Sequence, residues 1–141
     1  MRMQPTLGHA EVLAAVDAIR AELVRRGGTA VIAVADAHGE LIALLRLDGA
    51  PLSSIAIAAN KAYTAARLRR PTRVVGTQIR ERGTDIAFYG DPRYLGFGGG
   101  VPIEVGGTVA GGIAVSGLSD ADDEALAAMG AAIIAAAKPA A

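Results

Sequence analysis

Two apolar runs parted by Asp36-Ala37-His38-Gly39, and two more parted by Gly106-Gly107, lie between stretches of helical periodicity. Both breaks are turn chemistry, and the glycine pair is a dipeptide that two-residue hairpins favour. Hairpins pair their strands antiparallel, so a strictly alternating β-α protein with a parallel sheet is excluded. The flanking patterns agree. Val12, Val16, Ile19 and Leu23 recur at intervals of four, three and four, one face of a helix that Thr6 would cap and Gly27-Gly28 would stop. Strands are expected over 29–35 and 40–47. A second helix runs from Ser53 or Ser54 to about Arg69, because Pro71 biases Arg70 out of the helical region. A third reaches Arg82 and stops at Gly83, strands follow over 101–105 and 108–116, and a last helix runs from Ser119-Asp120 to near Ala137. The order predicts one α+β domain over residues 1–141, with helices against a mainly antiparallel sheet.

Composition says how tightly those layers must pack. The chain is 52% hydrophobic, but 31 of its 141 residues are alanine and 18 are glycine, which leaves few large side chains for a core. Backbones must approach closely. Fourteen Lys and Arg balance fourteen Asp and Glu, so no whole-protein field favours nucleic acid or an anionic membrane. The absence of Cys excludes disulfides, thiolate metal sites, a Cys nucleophile and C-x-x-C-H haem attachment. No apolar stretch approaches the ~20 residues of a membrane span, and no basic-then-apolar signal follows Met1, so a cytoplasmic location is expected.

The second helix departs from the usual amphipathic pattern. Ile55, Ala59, Ala62 and Ala66 form one small-residue face, while Ile57, Lys61, Thr64 and Leu68 form an opposite face that is mixed rather than polar. That second face should be covered by a partner subunit or line a cavity. Lys61, set among Ala and Ile, is either a desolvated base or anion partner, or an exposed surface lysine. Four of the five aromatics, Phe88, Tyr89, Tyr94 and Phe97, fall within ten residues of one irregular segment. Rings there can plug the fold or form a lid over a ligand. Gly98-Gly99-Gly100 before a strand is a flexible lead-in or a cradle of backbone amides for an anion. His9, on the apolar side of the first helix, is a satisfied core or capping residue or a ligand to haem or metal; His38 sits in a turn. The basic run Arg67, Arg69, Arg70 and Arg73 lies at a helix C-terminus, and Asp122-Asp123-Glu124 at a helix N-terminus, where their charges suit the helix dipole.

The segments V-A-D-A-H-G-E-L (34–41), D-G-A-P-L-S-S-I-x-I-A-x-x-K-A-Y-T-A (48–65), R-P-T (70–72), G-G-G-V-P-I (98–103), G-x-x-x-G-G-I-A-V-S-G (107–117) and D-E (123–124) together resemble the GlcG/HbpS family, the haem-degrading or DUF336 domain. The resemblance implies profilin-like α/β/α layers around a five-stranded antiparallel sheet, assembled as dimers, tetramers or octamers. It also implies haem as a cofactor, with a histidine near the N-terminal helix as axial ligand. Here that histidine is His9. The stretch from Thr84 to Phe97 departs from the family pattern in length and aromatic content.

Two functions of different class follow. The first is a small-molecule-binding module holding haem or another tetrapyrrole at a subunit boundary, with His9 on the iron, Lys61 or another base on the propionates, and Arg93, Tyr94, Phe97 and Gly98 to Gly100 as walls. The second is a cofactor-independent isomerase, lyase or hydrolase acting on a small organic acid or ring. In it Lys61 or Asp36 is the acid/base, Tyr63, Tyr89 or Tyr94 donates hydrogen bonds, and Gly98 to Gly100 with Arg93 holds an anionic group.

Overall fold

The computed structural model describes residues 1–139. A helix, α1 (His9–Arg25), leads into the first hairpin, β1 (Val31–Asp36) and β2 (Leu41–Arg46). Two helices follow, α2 (Ser53–Leu68) and α3 (Thr72–Arg82), then a single 3-10 turn at Ile86–Tyr89. The second hairpin, β3 (Gly100–Val105) and β4 (Thr108–Ser116), precedes α4 (Asp120–Ala135). Gly106 and Gly107 both have positive φ, 59° and 79°, as a primed two-residue turn demands. The hairpins join through β1 and β4, which pair antiparallel from Val31 opposite Ser116 to Asp36 opposite Gly111. The sheet order is therefore β2-β1-β4-β3.

Among the described residues the sheet has four strands, not the five that the family resemblance implies. The stretch between α3 and β3 cannot supply another. Gly90, Pro92 and Gly96 punctuate it, Ile86–Tyr89 coils as a 3-10 turn, and the Tyr94 amide folds back onto the Asp91 carbonyl. The first helix also starts later than the Thr6 cap predicts. Gly8 is its N-cap, because the Glu11 carboxylate, three residues on, closes over the Gly8 amide.

The two faces of the sheet are built differently. Ile32 and Val34 of β1 point to a large-residue core with Ile19 and Leu23 of α1, Val115 of β4 and Leu126 of α4. Val31, Ala33 and Ala35 point the other way, to a small-residue core with Ala58 and Ala62 of α2 and Ala114 of β4. Small residues let α2 lie almost on the sheet backbone. A Cβ at Gly112 would overlap the Ala62 carbonyl, and one at Gly100 would lie 2.7 Å from the Lys61 carbonyl oxygen. Alanine and glycine at these positions thus make this contact layer close. Half of the mixed face of α2 is covered by the chain itself: the Thr64 hydroxyl accepts a hydrogen bond from the Leu95 amide at 3.1 Å, and Lys61 is sealed beneath β4 and α4, while Ile57 and Leu68 stay half-buried.

Candidate functional site

Lys61 is only 2% exposed, and its Nζ donates to the Val115 carbonyl at 3.0 Å and to Asp123 Oδ2 at 3.4 Å. Asp123, 1% exposed, also accepts the Leu118 amide at 3.1 Å. Because α2 and α4 lie on opposite faces of the sheet, this ion pair clasps the two helical layers around its end. Gly99 leaves room for it. At φ 125° a Cβ on Gly99 would stand 2.6 Å from Lys61 Nζ and 2.7 Å from the Val115 carbonyl oxygen. Burial pushes the Asp123 carboxyl above its ordinary value, and the Lys61 charge opposes that shift. The neighbouring amides are committed as well: Gly98 N–H donates to Asp120 Oδ2 at 3.0 Å, and Gly100 N–H to the Thr72 hydroxyl at 3.0 Å. Lys61 and Gly98 to Gly100 are thus brought together, but around one another.

Tyr63, Arg93 and Tyr94 meet in a second cluster, where the irregular segment folds onto the C-terminal half of α2. The Tyr63 hydroxyl donates to Asp91 Oδ2, and its ring is 5.2 Å from that of Tyr94. Arg93 lies 4.0 Å over the Tyr63 ring and pairs through Nη2 with Asp91 Oδ2 at 3.0 Å. Arg67 donates from Nε to the Tyr94 hydroxyl at 2.9 Å and from Nη1 to the His38 carbonyl at 3.2 Å. Tyr89 meets Tyr94 edge-on at 5.7 Å. Burial, with the bond to Asp91, pushes the Tyr63 phenol up to about 12. The Arg93 guanidinium and the Tyr63 hydroxyl hold the Asp91 carboxyl below the usual carboxylate range. These tyrosines plug the fold. The two phenylalanines of the segment do the opposite, Phe88 being 82% and Phe97 60% exposed.

Asp36 and His9 lie elsewhere. Asp36 Oδ1 accepts the His38 and Glu40 amides at 2.8 and 3.1 Å, which makes it the organiser of the first hairpin turn. His9 opens α1, on the sheet face opposite α2, and its side chain is exposed. One chain therefore does not bring His9 and Lys61 together. Gly8 and Glu11, on either side of His9 in sequence, line a cleft of about 300 Å³ with Leu7, Val105, Ile134 and Lys138.

Sequence reasoning placed Asp123 and Arg67 only as helix-terminal charges. The signal for Asp123 was available, since a lysine buried among alanines requires a counter-ion and the acidic triplet is one of few candidates. Nothing in the spacing pointed to Arg67 or Asp91. Their roles depend on how the 84–97 segment turns back over α2.

The model of the family described as "Haem degrading protein HbpS-like" matches residues 7–132. The chain belongs to the HbpS-like family. GlcG of Escherichia coli K12 is 34% identical to it over 116 residues, 82% of this chain and 85% of that protein. The crystal structure of Klebsiella pneumoniae ORFY superposes with a TM-score of 0.86 at 26% identity, covering 98% of this chain and 96% of that one. A double mutant of Streptomyces reticuli HbpS superposes at 0.85 with 28% identity, covering 95% and 90%. The HbpS-like match takes in His9, Lys61, Gly98 to Gly100 and Asp123, and stops short of Lys138. No helix among the described residues of this HbpS-like chain is long and apolar enough to cross a membrane.

Proposed function

We propose that this HbpS-like protein is a tetrapyrrole-binding module that takes haem at a subunit boundary, where His9 would hold the iron. The observation that carries the reading is an exposed imidazole at the first turn of α1, flanked in sequence by residues of an apolar cleft. The family description, haem degrading, supports the ligand class.

His9 itself stands beside the cleft rather than in its lining, and the lining residues next to it suit such a group. Leu7, Val105 and Ile134 offer apolar wall, and Lys138 on the same rim offers a cation for a propionate. The Glu11 carboxylate is tied to the Gly8 amide, which also holds it below its ordinary value, so it is occupied in capping. A cleft of about 300 Å³ accommodates only part of a tetrapyrrole, so a second copy of the chain would cover the rest. When bound, haem supplies a Lewis-acidic, redox-active iron; His9 would hold the metal and Lys138 would orient the macrocycle. Lys61 takes no part in this reading, being buried against Asp123. No observation favours a catalytic role for Lys61, Asp36 or Tyr63, each of which is bonded inside the fold.

Adding hemin to the protein should produce a shifted, saturable Soret band that His9→Ala removes and His38→Ala leaves in place. An unchanged hemin spectrum in the wild type, or an identical shift in His9→Ala, would overturn the assignment.

A further inference from the structure

The segment between α3 and β3 builds a second cleft, remote in sequence from His9. Gly76 of α3 and Gly96 of the segment touch backbone to backbone: a Cβ on Gly96 would lie 2.6 Å from the Gly76 Cα, and one on Gly76 would overlap the Gly96 carbonyl. That contact forms a floor without side chains. Ile79 of α3, Ile86 of the 3-10 turn, Leu95 and Phe97 stand around it and line an open groove of about 290 Å³. The lower end of small-ligand pocket sizes is near this volume.

Two features of the walls speak to an occupant. Arg80 is the only ionised side chain lining the cleft. Its one side-chain hydrogen bond among the described residues goes to the Thr77 hydroxyl at 3.4 Å, and no carboxylate lies within ion-pair distance of it there. Phe97, at 60% exposure, is a large ring left at the rim with nothing over it. The frame is also preset. Tyr94, which lines the cleft too, is fixed from behind by Arg67, Tyr63 and Tyr89, and the Leu95 amide is fixed by Thr64. Walls ordered in advance lose little entropy on binding.

We infer that this cleft is a binding site for a small apolar carboxylate, a single aromatic ring or branched alkyl chain bearing one carboxyl group. The apolar body would rest on Ile79, Ile86, Leu95 and Phe97, and the carboxylate would meet the Arg80 guanidinium in the bidentate geometry suited to that pair. Size limits the ligand to about one ring, and the lone cation selects a monoanion over a dianion.

Benzoate is the probe, with benzyl alcohol as its uncharged counterpart, titrated into the folded protein and followed by amide NMR shifts. Benzoate should give saturable shifts confined to residues of α3 and the 84–97 segment. Arg80→Gln should weaken benzoate roughly two- to fivefold, the range for an exposed ion pair, and leave benzyl alcohol unchanged. Phe97→Ala, at an exposed position that the fold does not need, should weaken both probes. Absence of saturable shifts at millimolar benzoate, shifts centred elsewhere, or equal benzoate affinity in Arg80→Gln would each overturn the proposal. Hemin binding at His9 is read separately and is not affected by either outcome.

Discussion

Replacing Lys61 by Met should destabilise the fold more than any surface change, and the reason lies in what stays behind. The substitution retains most of the buried alkyl volume but removes the ammonium that satisfies Asp123 Oδ2 and the Val115 carbonyl. Both side chains are at most 3% exposed, so water cannot take its place. Removing one partner of a buried pair costs about 3–5 kcal/mol, against less than about 1 kcal/mol for an exposed pair. For a chain of 141 residues this corresponds to a fall in Tm of roughly 10–15 °C. Urea unfolding by circular dichroism measures it directly. Lys61→Met/Asp123→Asn should recover more than half of the loss, because Asn leaves no buried charge and still accepts the Leu118 amide. The deficit of the single variant should also shrink in acid. Burial raises the folded Asp123 carboxyl above its unfolded value, and loss of Lys61 removes the opposing influence. A group raised on folding contributes stability below its unfolded pKa and loses it as pH climbs through the folded one. A Lys61→Met cost below about 1 kcal/mol, a pH-independent cost, or a double variant equal to the sum of the singles would refute the clasp.

Two further substitutions probe the same framework. Gly99→Ala combines a φ of 125° with a Cβ 2.7 Å from the Val115 carbonyl oxygen and should cost at least about 3 kcal/mol in urea melts; a neutral result would mean that the lead-in to β3 is free to move. Tyr63 should account for a phenol ionising near pH 12 in an ultraviolet titration, a component that Tyr63→Phe removes. Since that value is raised on folding, the stability Tyr63 contributes should fade as pH rises from about 10 toward 12; full tyrosine ionisation by pH 10 in the folded protein would contradict this.

Most of the fold was legible in local pattern. Gly106-Gly107 and Asp36 through Gly39 announced the hairpins, and Gly83 ended α3 as expected, in the left-handed region at φ 62°. What local pattern missed were partners far apart in sequence. Lys61 stood out as poorly solvated, but its counter-ion lies 62 residues away on the other helical layer. The triplet Gly98 to Gly100 looked open to an anion because its composition permits that. Its actual constraint is the close passage of the Lys61 side chain and of the α2 backbone. The aromatic segment posed the same problem: plug and lid are indistinguishable until the tertiary path separates the inward tyrosines from the outward phenylalanines. Arg67 and Arg93, read as a helix-terminal charge and an anion holder, instead lie over the Tyr63 ring. The fifth strand is absent among the described residues, and the long stretch between α3 and β3 is broken by Gly90, Pro92 and Gly96.

The central claim, that His9 is a haem ligand, can be tested at the iron itself. The chain has only two histidines, so His38→Ala grown with 15N-labelled histidine carries one labelled imidazole. Pulsed electron paramagnetic resonance of its ferric haem complex should show a 15N coupling to the iron, and the His9→Ala protein, labelled in the same way, should show none. No 15N coupling in the protein that retains His9, or an unaltered coupling in the one that lacks it, would contradict the account.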